Sequence, residues 1–123
     1  MRCHFAVATA VLLGVVGGCA TSTTPAPGPP QGTVTVVGTE MAFTPNHVQL
    51  RPGTWVIRFD NHGAVFHDLS IEPADGSKLI AGTGAQPGQS ADLTVTLGRG
   101  HYLMVCLEPG HRQAGMVGTV DVA

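Results

Sequence analysis

The segment Tyr102-Leu-Met-Val-Cys106-Leu-Glu-Pro-Gly-His111-Arg-Gln-Ala-Gly-Met116-Val-Gly-Thr-Val-Asp-Val122 reads as a strand, a loop and a second strand. Apolar and β-branched residues fill both ends, whereas Pro and Gly punctuate a middle with no apolar period. Cys106 closes the first apolar run and Met116 opens the second, so both stand where a strand hands over to a loop. His111 lies between them, five positions from each. A thiol, an imidazole and a thioether at that spacing form a soft-to-borderline donor set, and such sets select copper.

The same strand signals continue upstream. Thr33-Val-Thr-Val-Val37 alternates, and the short runs Met41–Phe43 and His47–Leu50 follow it. Arg51-Pro-Gly53 marks a turn before Thr54–Phe59, and Asp60–Gly63 marks a loop before Phe66–Ile71. Glu72–Ser90, with several Gly and Pro and little alternation, reads as a long connection. Ala91–Leu97 alternates again, with Leu93, Val95 and Leu97 on one side, and Gly98-Arg-Gly100 turns into the Tyr102 run. About seven or eight short strands joined by turns predict an all-β fold, an antiparallel sandwich or barrel. No segment carries the 3.6-residue period of a helix.

Composition narrows the function. The chain has 123 residues, enough for one small domain, with six Lys+Arg against eight Asp+Glu and no run of either sign. That balance leaves no electrostatic footprint for nucleic acid. Residues Phe5–Val16 form an apolar run too short to span a bilayer, which needs about 20 residues, but suited to a signal-peptide core. Val16-Gly17-Gly18-Cys19 follows and resembles a bacterial lipobox, in which the Cys is acylated and becomes the first mature residue. Residues 1–18 are therefore expected to be removed, and 19–32, rich in Thr, Pro and Ala, to form a semi-rigid tether. Residues 33–123 form the folded domain. Cys3 leaves with the signal and Cys19 carries lipid, so Cys106 has no disulfide partner. A lone thiol in an exported protein is a reactive group or a metal ligand, and ligation protects it from oxidation.

Blue-copper electron-transfer sites combine two His, one Cys and a weak axial Met, so one further histidine is needed. His4 falls in the signal, His47 and His101 open strands after turn residues, and His62 lies in the Asn61-His62-Gly63 turn. His67 opens a strand behind the apolar Val65 and Phe66. Alone, it reads better as a hydrogen-bonded core histidine than as a ligand. With Cys106, His111 and Met116 elsewhere in the chain, ligation is the stronger reading.

At this point the chain resembles a cupredoxin, a blue (type 1) copper protein, over residues 33–123. The resemblance rests on Phe43-Thr-Pro, Val48–Gly53, Phe59-Asp-Asn61, Phe66-His67-Asp-Leu, Pro87–Ser90 and Gly100–Cys106, and on the loop Pro109-Gly-His111 with Ala114-Gly-Met116. The Cys-x4-His-x4-Met spacing is similar to that of longer-loop members such as sulfocyanin, rusticyanin and auracyanin. The resemblance implies a single Greek-key β-sandwich holding one copper ion. It further implies that His67, Cys106 and His111 form a trigonal plane, with Met116 as the long axial contact. Asp68 stands where the family often has an Asn that braces the ligand loops. Tyr102 and Met104 share the side-chain parity of Cys106 and are expected to pack beneath the site.

The expected function is a membrane-tethered one-electron carrier cycling between Cu(II) and Cu(I). The protein is expected to be exported, lipid-anchored through Cys19 to a bacterial membrane, monomeric and in contact with unidentified redox partner proteins. It is not expected to be an enzyme, because a single domain without further paired histidines lacks a second, catalytic copper. Arg112 and Glu108, the charges nearest His111, are expected to be solvated. The alternative function is copper storage, buffering or delivery.

Overall fold

The computed structural model describes residues 24–123, so Cys19 and the expected signal segment lie outside it. Among the described residues, nine strands build two sheets. In chain order they are β1 (Thr33–Thr39), β2 (Ala42–Thr44), β3 (His47–Leu50), β4 (Gly53–Asn61), β5 (His67–Pro73), β6 (Ala81–Ala85), β7 (Ser90–Leu97), β8 (Gly100–Val105) and β9 (Val117–Val122). One sheet runs β2-β1-β4-β7 and the other β3-β9-β8-β5-β6. The all-β sandwich is as expected. The ninth strand is β6, inside the segment read as a connection. Its sequence, Ala-Gly-Thr-Gly-Ala, offers no apolar alternation, and its pairing to β5 is what makes it a strand.

The pairing is mixed rather than wholly antiparallel. β1 lies parallel to β4, and β3 lies parallel to β9. Both parallel pairs arise because the chain crosses from one sheet to the other through β3 before returning in β4. Alternation reports which face of a strand is buried and carries no information on the direction of its neighbour.

The inward rows meet in one core. Val36, Ile57, Phe59, Leu93, Val95 and Leu97 from the first sheet pack against Val48, Leu50, Leu69, Ile71, Met104, Val120 and Val122 from the second. Burying each such side chain contributes about 1.5–3 kcal/mol before entropy is counted. Met104 is fully buried, and Tyr102 packs at the core's edge with its hydroxyl donating to Gly98 O. The chain ahead of β1 also lies against the sandwich. There Gln31 N–H donates to Thr54 O and Gly28 N–H to Thr54 Oγ1.

This topology gathers particular residues at one end. β5 is antiparallel to β8, and β8 to β9, so the start of β5, the end of β8 and the start of β9 coincide. Beneath that end, the Phe59 and Phe43 rings meet edge to face at 6.2 Å. Gly38 leaves the room they need: a Cβ there would fall 2.6 Å from the Phe59 ring and 3.3 Å from Met116 Cε. Gly38→Ala is accordingly expected to cost about 1–3 kcal/mol through overpacking. A urea titration of the metal-free protein should show a lower midpoint at unchanged slope.

Candidate metal centre

The first donor strand ends at Cys106, which is fully buried. The β8–β9 register pairs Val105 with Val117, and one step further Cys106 N–H donates to Met116 O at 3.2 Å. Met116 N–H in turn donates to His111 O at 3.0 Å. Residues 107–115 therefore leave and return to one place, closed by further turn bonds such as His111 N–H to Glu108 O and Ala114 N–H to Gly110 O. Gly110 and Gly115 adopt positive φ in this loop, at 83° and 107°, a backbone region that other residues rarely enter.

His67, from the neighbouring β5, meets this loop. It is fully buried, and its Nδ1 lies 3.1 Å from His111 Nδ1. Cys106 Sγ lies 3.4 Å from the same nitrogen of His111. One donor atom from each of His67, Cys106 and His111 falls within 4.8 Å of the others. Two imidazole nitrogens turned face to face beside a sulfur repel one another unless a proton or a cation lies among them. Their softness fits copper. Met116 is fully buried against Phe59 and Gly38, on the core side of the same loop.

Asp68 meets the loop after Cys106 as an acceptor. Leu107 N–H donates to both its carboxylate oxygens, at 3.0 and 3.2 Å, and Ser70 Oγ donates to one of them. Asp68 N–H points at Cys106 Sγ at 3.5 Å. The β5–β8 ladder stops at Ser70 opposite Val105, so the carboxylate takes over where main-chain pairing ends. An acceptor is all that this position needs. Burial pushes the Cys106 thiol above its ordinary pKa; the N–H groups of Asp68 and Glu108 oppose that rise, and their negative charges reinforce it.

Three residues without an expected role also hold the site. Asn61 continues the inward row Ile57-Phe59 and is fully buried. Its amide donates to Val65 O and Ala85 O, and its Oδ1 accepts from Gly63 N–H. A polar residue in an apolar row was the available signal for it. Glu72, buried on the outer row of β5, pairs with Arg112 and fastens the ligand loop to the sheet. Arg112, expected to be a free loop charge, is therefore an anchor. Glu40, in the β1–β2 turn, accepts from Ala64 N–H and sets Oε1 3.6 Å from His67 Nε2. The Ala64 N–H, and to a lesser degree His67, hold the Glu40 carboxyl below its usual range against the opposing effect of burial. Nothing near Glu40 in the sequence signals this contact. The two remaining strand histidines, His47 and His101, share Asp121 on the exposed face of the second sheet, away from the site.

A β-sandwich that turns a buried thiol and two imidazoles toward one point defines a cupredoxin. The profile of the copper binding proteins of the plastocyanin/azurin family matches residues 30–123, and the chain belongs to that family. Its cofactor is one type 1 copper ion. Similar solved structures include dithionite-reduced auracyanin from Roseiflexus castenholzii, 25% identical over 74% of this chain and 96% of that one, with a TM-score of 0.65. Auracyanin A of Chloroflexus aurantiacus, described as a "blue" copper protein, is 26% identical over 74% and 98%, with a TM-score of 0.63. Reduced rusticyanin shares the fold at 24% identity over 74% and 79%, with a TM-score of 0.60. No protein of curated function matches the chain.

Two outcomes are expected for the metal-free protein. Asn61→Ala should lose roughly 1–3 kcal/mol for each buried partner left unsatisfied, read by chemical denaturation. Stability should be fully retained below the ordinary thiol pKa and should decline as pH rises through it, because the unfolded chain releases the Cys106 proton before the folded one does. Urea midpoints measured up to pH 10 under reducing conditions should show this slope in the parent and a shallower one in Cys106→Ser.

Proposed function

We propose that this chain is a one-electron carrier that binds copper through His67, Cys106, His111 and Met116, with Asp68 bracing the ligand loops. The observation that carries the reading is the convergence of one thiol and two imidazoles within 4.8 Å, on residues that neighbouring strands hold fixed. Copper bound there supplies a single-electron couple between Cu(II) and Cu(I). The chain's part is to keep the donors still. His67 and Cys106 are locked by burial, and the loop is pinned through Arg112 and Asp68. A fixed donor set keeps the rearrangement that accompanies electron transfer small.

His111, only partly buried, gives the site an edge toward solvent. Val65 and Leu107, 45% and 47% exposed, lie beside the donor strands and offer an apolar surface for brief contact with a donor and then an acceptor protein. Weak redox encounters bury less than about 1,200 Å² in total, which so small a patch suits. The lipobox-like Val16-Gly17-Gly18-Cys19 and the Pro/Thr-rich stretch after it support export, acylation at Cys19 and a monomer tethered to the bacterial membrane. Storage or delivery of copper favours open, exchangeable donors, so a fully buried Cys106 and His67 support the carrier over the copper handler. The same compact mononuclear donor set supports a carrier rather than an enzyme.

Titrating Cu(II) into the folded domain should produce an intense visible band toward the red, from thiolate-to-copper charge transfer, that bleaches on reduction and returns on oxidation. Cys106→Ser should lack the band. A colourless protein that holds only Cu(I), or a mutant that keeps the colour, would defeat the carrier reading.

A further inference from the structure

His67 presents two nitrogens to different surroundings. Nδ1 faces His111 Nδ1 and the thiol, so it is the atom turned toward the metal site. A neutral imidazole that gives Nδ1 to a metal carries its hydrogen on Nε2. That Nε2 is buried and has no hydrogen-bond partner. Leaving such a donor unpaired costs about 1–3 kcal/mol. The acceptor that faces it is Glu40 Oε1, 3.6 Å away, a separation slightly beyond a hydrogen bond.

The surroundings are arranged to keep this carboxylate in place. Ala64 N–H donates to the same Oε1, which fixes it over the edge of the ring. Gly63 supplies the clearance: a Cβ at that position would fall 2.6 Å from Glu40 Oε1 and 2.8 Å from His67 Nε2. The carboxylate and the ring edge therefore share a space that any larger residue at 63 would fill. Asn61 Oδ1 accepts from Gly63 N–H and holds the turn in that position. Glu40 itself is about half exposed, with a side-chain accessibility of 51%, so no packing requirement explains its aim.

We infer that Glu40 is a positioning residue of the copper centre: its carboxylate accepts the Nε2–H of His67, orients the ring and makes Nδ1 a stronger donor. A carboxylate behind a metal-bound imidazole raises ligand basicity, and the charge-assisted bond is stronger than one to a neutral acceptor. Greater basicity favours Cu(II) over Cu(I), so Glu40 lowers the reduction potential of the site. Its second bond, to Ala64, couples the β1–β2 turn to the loop that delivers His67. The inference rests on the proposed copper site with His67 as a ligand.

The test compares the parent with Glu40→Gln and Glu40→Ala, each loaded with copper. Glu40→Gln keeps an acceptor oxygen and removes the charge. Both variants should bind Cu(II) about 10–100-fold more weakly, as outer partners of metal ligands do when replaced. Cu(I) affinity should fall less, so voltammetry should find a higher potential in both variants, with the larger rise in Glu40→Ala. Thermal unfolding of the metal-free proteins supplies the structural control. A Glu40→Gln protein with the parent's potential and Cu(II) affinity would overturn the inference. A loss of metal-free stability large enough to account for the whole fall in affinity would overturn it too, leaving Glu40 as a cap on Ala64 alone. Failure of the parent itself to develop the charge-transfer band would sink the underlying copper reading instead.

Discussion

The pairing of β8 with β5 on one side and β9 on the other is the constraint from which the site follows. Antiparallel pairing brings the end of β8 level with the starts of both neighbours. Cys106 and Met116 are then bonded across the ladder, and His111 is confined to the short loop between them. His67, on the other neighbour, arrives at the same height without any local sequence relation to the loop. A slip of one residue in either register would turn Cys106 or His67 from the core face to the outer face.

That register is held at its open end by polar contacts rather than by apolar packing. Asp68 takes the Leu107 N–H where the ladder stops, Asn61 ties together three backbone groups below His67, and Glu72 anchors Arg112. Each is a hydrogen-bonded group at or near the buried layer, where an unpaired partner is expensive. Such networks fix one geometry because only one arrangement satisfies all of them. Stiffness of this kind suits an electron carrier, in which donors that stay put lower the cost of each transfer. The hydrophobic core below supplies stability, and the polar layer supplies position.

Auracyanins and rusticyanin superpose on the sandwich at roughly a quarter identity, so the scaffold tolerates extensive replacement of side chains. In this chain, carboxylates stand around the donors. An Asp at position 68 accepts from the ligand loop, and a Glu at position 40 reaches the ring of His67 from a turn in the opposite sheet. Outer groups of this kind adjust a metal site while leaving its donors unchanged.

Much of this was legible in the residues themselves. Alternation in Ala91–Leu97 placed Leu93, Val95 and Leu97 inside, and the Cys106–His111–Met116 spacing pointed to a soft donor set, because both features are local. The ninth strand was not legible, since Ala-Gly-Thr-Gly-Ala has no buried stripe of its own and exists as a strand through its pairing with β5. The parallel pairs, the Glu72–Arg112 anchor and the approach of Glu40 to His67 were equally hidden. Each joins residues far apart in the chain, and periodicity records the environment of a residue without naming its neighbour. The sequence by itself determined the strands, the buried faces and the chemistry of the donors; tertiary structure alone decided which backbone groups and carboxylates close around them, because chain crossing between two sheets sets those distances.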